Sequence, residues 1–374
     1  MKLTTGGESH GKALLGIIEG LPSNLEIDID EINEYLALRQ SGYGRGARQK
    51  IERDKAEILS GVRNGITLGS PLAFCVVNRD YENWRGIMAP EGADVTQRTL
   101  TRVRPGHADL TGMLKYGHTD ARNILERASA RETAVRVAAG TIARQYLRAL
   151  GVSVSGYVKS VCGVIDENEY SFGQLEAAKK SPLFMLDGKK EREAVSLLDK
   201  LKTDGDTAGG LIEIRVKGLK SGFGSCMTYG EKLDAKIAGA LMSVQAIKGV
   251  EIGLGFKCAS LAGSKVHDEI YYDGGYRRKT NRAGGIEGGM SNGEEIIVRA
   301  AMKPIPTLMR GLETVDTATG APAKSAGERS DVCAICACEI ILESVAALTV
   351  AEAVAQRLGG DDMREVIERY NALR

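Results

Sequence analysis

Gly42-Tyr43-Gly44-Arg45-Gly46-Ala47, inside the longer run Arg39-Gln40-Ser41-Gly42-Tyr43-Gly44-Arg45-Gly46-Ala47-Arg48-Gln49-Lys50, matches the dinucleotide-binding fingerprint G-x-G-x-x-G/A. A genuine fingerprint would commit the chain to a doubly wound parallel sheet, because the motif works only between a strand and the start of a helix. Its flanks do not comply. Upstream, Asp28 to Leu38 places Ile32, Tyr35, Leu36 and Leu38 at helical spacing behind acidic capping residues. Downstream, Arg48 to Lys55 is almost wholly charged and offers no helix N-cap. The loop is therefore not read as a Rossmann turn, and the chain has no Walker A motif.

Without that role, the run reads as a site for a dense anion. Arg39, Arg45, Arg48 and Lys50 alternate with glycines and with no acidic residue. Glycine lets backbone N–H groups approach a ligand, and arginine's planar fork matches phosphate or carboxylate oxygens in pairs. A second acid-free run, Arg98 to His107, carries Arg98, Arg102 and Arg104. The chain as a whole is balanced, with 50 Lys+Arg against 49 Asp+Glu, so no global field draws nucleic acid or a membrane surface. Two local patches on a neutral background point to a small, highly charged ligand.

The 374 residues, 43% hydrophobic, suffice for a substantial core. No signal-like or membrane-length apolar run appears, and seven irregularly spaced cysteines fit a reducing compartment, so a cytoplasmic protein without disulfides is expected. Strands are expected at Leu14–Leu21, Glu57–Val62, Leu72–Val77, Val152–Val161, Leu211–Val216, Glu251–Phe256 and Glu295–Met302. Helices are expected at Asp28–Leu38, Thr119–Leu150, Lys189–Lys202, Glu231–Lys248, Val332–Leu358 and Asp361–Leu373. The order lacks a regular βαβ alternation, which makes the fold class α+β. Thr314 to Glu328, rich in Ala, Thr, Gly and Pro, reads as a loop over a site.

Candidate chemistry centres on two of the four histidines. His10 in Gly7-Glu8-Ser9-His10-Gly11 and His107 in Arg104-Pro105-Gly106-His107-Ala108-Asp109 each adjoin a glycine, and histidine is the side chain suited to moving protons near neutral pH. A structural role for either is equally open at this point; His118 and His267 sit among polar, surface-like neighbours. Cys333, Cys336 and Cys338 read as buried thiols, since on a helix Cys338 points away from the other two and no histidine completes a metal set. Five glycines between Gly284 and Gly293 imply close backbone approach, and Lys303-Pro304-Ile305-Pro306-Thr307 is a stiff extended segment.

Taken in order, the segments resemble the chorismate synthase family: GESHG from Gly7, RQSGYGRGARQKIERD from Arg39, SGVRNGITLGSP from Ser60, RPGHAD from Arg104, ERASARET from Glu126, GGIEGGMSNG from Gly284, MKPIPT from Met302 and ERSD from Glu328. The resemblance implies one domain over residues 1–374, a β-α-β sandwich with helices between antiparallel sheets, and a homotetramer. It implies conversion of 5-enolpyruvylshikimate 3-phosphate to chorismate, the last step of the shikimate pathway, by 1,4-anti elimination of phosphate with reduced FMN and no net redox. Substrate and flavin together bring about six negative charges, for which the arginines and lysines suffice in number. By the same resemblance His10 and His107 are catalytic, with Ser9 and Asp331 as a proton relay at flavin N5. Ser129, Ala130, Arg131, Gln245, Ala246, Gly288, Lys303, Pro304, Ile305, Pro306, Thr307 and Arg329 match flavin-lining positions, and Arg39, Arg45, Arg48 and Arg104 match substrate or NADP positions.

NADPH enters only as a possible reductant, an external flavin reductase being the expected partner; neither a metal nor nucleic acid is expected. Rival readings are an intrinsic flavin reductase and an anion- or RNA-binding module, the latter disfavoured by near-zero charge and 5% aromatics. Leu38, Ala47, Asn64 and Val103 depart from the family pattern without removing a candidate catalytic group. The Cys333 to Glu339 stretch lacks the family's usual proline and small residues.

Overall fold

Two antiparallel sheets face each other across a layer of helices in the computed structural model, which describes residues 1–45, 53–325 and 331–373. The first sheet runs Lys2–Gly6, Ala13–Glu19, Leu72–Val77, Ala56–Ile58 in spatial order. In Ala13–Glu19 the residues Leu14, Gly16 and Ile18 are buried while Leu15, Ile17 and Glu19 are exposed, the period-two pattern of a sheet with one covered face. The second sheet runs Ile247–Ile252, Ile296–Met302, Gly210–Lys217, Ser153–Val161, Val164–Ile165.

Thr133–Arg148 and Ile335–Leu358 fill the space between the sheets. The first packs on Ala13–Glu19 and Leu72–Val77, the second on Ser153–Val161 and Gly210–Lys217. Ile335–Leu358 is apolar around most of its circumference, as a helix enclosed on all sides must be. Gly140 lets the two helices touch: a Cβ there would lie 2.4 Å from the Ser344 Cβ and 2.5 Å from its carbonyl oxygen. The α+β sandwich expected from the sequence is the architecture observed.

The differences are local and physical. The helical pattern Thr119–Leu150 is interrupted: Arg122–Ala128 stops, Ser129 is extended, and Thr133–Arg148 follows a short 3-10 turn. The Ser129 hydroxyl accepts from the Arg131 N–H, a local bond that competes with the helix ladder. The helix expected to reach Lys248 ends at Met242, because residues from Ile247 join the second sheet; that strand then ends at Ile252, short of Phe256, before Gly253 at φ 60. Within Thr314 to Glu328, Glu313–Val315 pairs with Pro322–Lys324, and the remainder beyond Ser325 lies outside the described residues. The strand Lys2–Gly6 and the helix Asp109–Tyr116 were not anticipated.

All seven cysteines are free thiols; Cys333, Cys336 and Cys338 are buried in the core, and burial pushes each thiol's pKa up. Among the described residues, no helix is long and apolar enough to cross a membrane.

Candidate active site

The turn after Lys2–Gly6 carries the first candidate group. Gly7, at φ 99, passes so near the next strand that a Cβ would lie 2.4 Å from the Ala13 carbonyl oxygen, so only glycine fits. The turn delivers Ser9 and His10 to buried positions against Arg122–Ala128. The Ser9 N–H donates to the Glu126 carbonyl at 2.9 Å, and the His10 N–H donates to Glu126 Oε2 at 2.8 Å. His10 Nδ1 lies 2.9 Å from Glu126 Oε1. Burial works against the Glu126 charge, yet the hydrogen bonds from His10 and the nearby Arg122 hold its carboxyl below the usual range. A carboxylate at Nδ1 fixes the tautomer and leaves Nε2 as the outward ring nitrogen.

A second carboxylate–imidazole pair stands on the neighbouring helix. Asp109, first residue of Asp109–Tyr116, accepts from His107 Nδ1 at 2.5 Å and from Arg104 Nε at 2.8 Å. Burial opposes its charge, but these two donors outweigh it and hold the carboxyl well below the ordinary range. The helices bearing Asp109 and Glu126 pack through Val103, Met113, Ala121 and Ile124, at a crossing where a Cβ on Gly112 would lie 2.4 Å from Ile124. One packed helix pair thus carries the carboxylates that hold both histidines.

Lys303 donates to the Gly106 carbonyl, and Arg104 reaches the Thr307 hydroxyl at 3.4 Å, so the Lys303–Thr307 segment docks on the His107 turn. Ile305 accepts from the Thr207 hydroxyl at 2.8 Å, and Pro306 lies 3.5 Å from where a Gly106 Cβ would stand. The Lys303 N–H donates to the Ala246 carbonyl at 2.9 Å, where Ala246 holds φ 71. Gln245 donates to Glu132 at 2.8 Å. Gly288, at φ 58, lies in the turn of the Ile286–Glu287/Met290–Ser291 hairpin.

The arginine run finds its acids outside itself, Asp54 just downstream and Asp331 far away in sequence. Arg39 is buried, donates to the Ala130 carbonyl at 2.9 Å and to Thr133 at 3.1 Å, and lies 3.6 Å from Asp54; burial lowers its pKa to about 10. Arg131 donates to Asn78 at 2.9 Å and to Asp54 at 2.5 Å. Arg45 pairs with Asp331 at 2.7 Å. Ser129 donates to the Ser9 hydroxyl at 3.2 Å, linking the His10 turn to the arginines. Arg48 and Arg329 lie outside the described residues. Two open clefts, about 400 Å³ beside Met1 and Leu348 and about 670 Å³ beside Tyr35 and Lys179, contain none of these groups.

The structure therefore joins the segments around His10, Ser129 and Arg131, and separately those around His107, Lys303 and Ala246, with Gln245 bridging to Glu132 beside Arg131. Residues not anticipated in this role are Glu126, Asp109, Asp54 and Asn78. The first three lay inside quoted motifs, but nothing in their spacing gave them these partners.

The chorismate synthase family model matches residues 1–355. The chain belongs to the chorismate synthase family. The chorismate synthase of Geobacter sulfurreducens is 51% identical, the match covering 99% of this chain and 97% of that one. The chorismate synthase of Thermus thermophilus is 49% identical, with 100% and 98% covered. A crystal structure of a chorismate synthase superposes with a TM-score of 0.80 at 38% identity, covering 99% of this chain and 96% of that chain. The chorismate synthase motifs that are distant in sequence meet in pairs: GESHG with ERASARET through His10 and Glu126, RPGHAD with MKPIPT through Gly106 and Lys303.

Proposed function

We propose that the chain eliminates phosphate and a ring hydrogen from 5-enolpyruvylshikimate 3-phosphate in the 1,4-anti sense to give chorismate, with reduced FMN bound and no net redox. The observation that carries this reading is the pair of carboxylate-held imidazoles, His10 on Glu126 and His107 on Asp109, beside partly buried arginines. His10 is assigned the general acid: a proton from Nε2 relieves charge on the departing phosphate. Arg39, Arg45, Arg48 and Arg104 are assigned to the substrate's anionic groups, where fixed cations stabilise developing charge without reorganising.

The residues present fit a phosphorylated flavin. Gln245 Oε1 and Arg45 Nε are buried without a hydrogen-bond partner among the described residues, so polar capacity is left over at this site. Ser129, Ala130, Arg131, Gln245, Ala246, Gly288, Lys303–Thr307 and Arg329 would hold the group. Reduced flavin, when bound, lends the electron density that helps phosphate leave. His107 would stand against it, held in orientation by Asp109, and Ser9 and Asp331 would hold a proton for N5. An external reductase, rather than intrinsic NADPH oxidation, is the proposed source of reduced flavin, in the cytoplasm. The uncovered apolar sheet residues Leu15, Ile17 and Val77 leave a face for self-association, for which the proposed assembly is a homotetramer. Anaerobic phosphate release from the enolpyruvyl substrate with chemically reduced FMN tests the activity; the same protein with oxidised FMN should release none.

A further inference from the structure

Trp84 is the only tryptophan in the chain, and it is 8% exposed. Its ring stacks on the His10 imidazole with centroids 3.9 Å apart and planes 26° from parallel. The indole is itself fixed: Nε1–H donates to Asp80 Oδ2 at 3.0 Å. Two guanidinium groups lie over the same indole, Arg98 at 4.0 Å and Arg122 at 4.9 Å from its centre. Arg98 reaches this place from a left-handed backbone, φ 55, that arginine seldom adopts, and its carbonyl accepts from Arg122 Nε at 2.6 Å. Arg122 also holds Glu126 at 3.2 Å. The indole, the two arginines and the carboxylate thus form one connected frame around a single imidazole.

A hydrogen bond at Nδ1 sets the tautomer but leaves the ring free to pivot about that bond. A flat face in contact removes the pivot. We propose that Trp84 is the positioning residue for His10: indole and Glu126 together fix the imidazole's plane and tautomer, so that Nε2 keeps one direction toward the substrate phosphate. The proposal rests on the reading of His10 as proton donor, and the test separates the two.

Because Trp84 is the sole indole, its emission reports the contact directly: the ring stacked on the indole is part of its immediate surroundings. Emission of the full-length protein without flavin should differ from wild type in His10→Gln, where the stacked ring is lost, and match it in His107→Gln. In turnover with reduced FMN, Trp84→Leu should lower kcat roughly ten- to a hundredfold with KM little changed, the effect of a misdirected group rather than lost binding. Trp84→Phe, which keeps a flat face, should recover most of kcat. Wild-type emission in His10→Gln, or a Trp84→Leu enzyme with wild-type kcat, overturns the positioning role. Should Trp84→Leu fail to fold, the His10→Gln emission and Trp84→Phe kinetics still decide. Full turnover in His10→Gln with the emission changed would instead leave the stack standing and remove the donor assignment, and the positioning role with it.

Discussion

Asp54 accepts from Arg131 at 2.5 Å in a buried position, and the same carboxylate lies 3.6 Å from Arg39. One acid thus compensates two guanidinium groups, both within the region assigned to anions. Removing it takes the shared carboxylate from two cations that burial penalises. Asp54→Ala should lower stability by about 3–5 kcal/mol, read as a fall in denaturation midpoint. Added FMN or inorganic phosphate should recover part of the loss, since a bound anion replaces the missing charge.

Asp109 holds His107 and Arg104 together and has a depressed pKa. A carboxylate of this kind contributes stability that is present above its unfolded pKa and lost as pH falls through the lower folded value. Asp109→Asn should therefore remove part of the acid limb of the stability–pH curve. It should also lower kcat roughly ten- to a hundredfold, because an amide no longer fixes the imidazole's tautomer and direction. A pH series of melting curves and steady-state kinetics on the same variant read both effects.

Glu339 and Glu343 stand one turn apart on the central helix, both fully buried. Arg144 and Lys179 pair with Glu343 and keep its pKa low, although burial opposes them. Burial, and then the Glu343 charge, push the Glu339 pKa well up and so favour its neutral form. A raised folded pKa gives stability that is complete below the unfolded value and declines as pH rises toward the folded one. Glu339→Gln, which keeps the shape and cannot ionise, should match the native chain near pH 4 and exceed it by about 1 kcal/mol or more near pH 8. Thermal melts at the two pH values compare them.

Gly140 sits where the two central helices touch at Ser344. Gly140→Ala gains helix propensity of about 1 kcal/mol but places a Cβ into backbone that cannot retreat. The clash should win, with a net loss of stability of about 1–3 kcal/mol measured by denaturant unfolding. A stabilised variant would mean that the helices separate more freely than the packing indicates.

Much of this fold was legible as local pattern. A continuous apolar run bounded by Pro and Asn marked Leu72–Val77 and helical spacing marked Asp28–Leu38, both found within two residues. Ser129 was not legible, because an alanine-rich period continues through it and only its side-chain bond to the Arg131 N–H breaks the helix. The strand Lys2–Gly6, with two threonines and little apolar content, lacked the pattern that identifies strands. At the site, His10 and His107 stood out by chemistry, but their carboxylates did not. Glu126 is 116 residues from His10, and no local period encodes such a pairing. Asp54 stood in plain view at the end of the quoted arginine motif and Asp331 far from it, and no period tied either to the run that both serve.

The proposed role of His10, held by Glu126, is to give a proton to a departing phosphate. Single-turnover phosphate release, anaerobic and with saturating reduced FMN, tests it most directly in wild type, His10→Ala and Glu126→Gln. That role predicts roughly a hundredfold or greater slowing in His10→Ala and a smaller slowing in Glu126→Gln, with substrate still bound. Wild-type release from His10→Ala would contradict it.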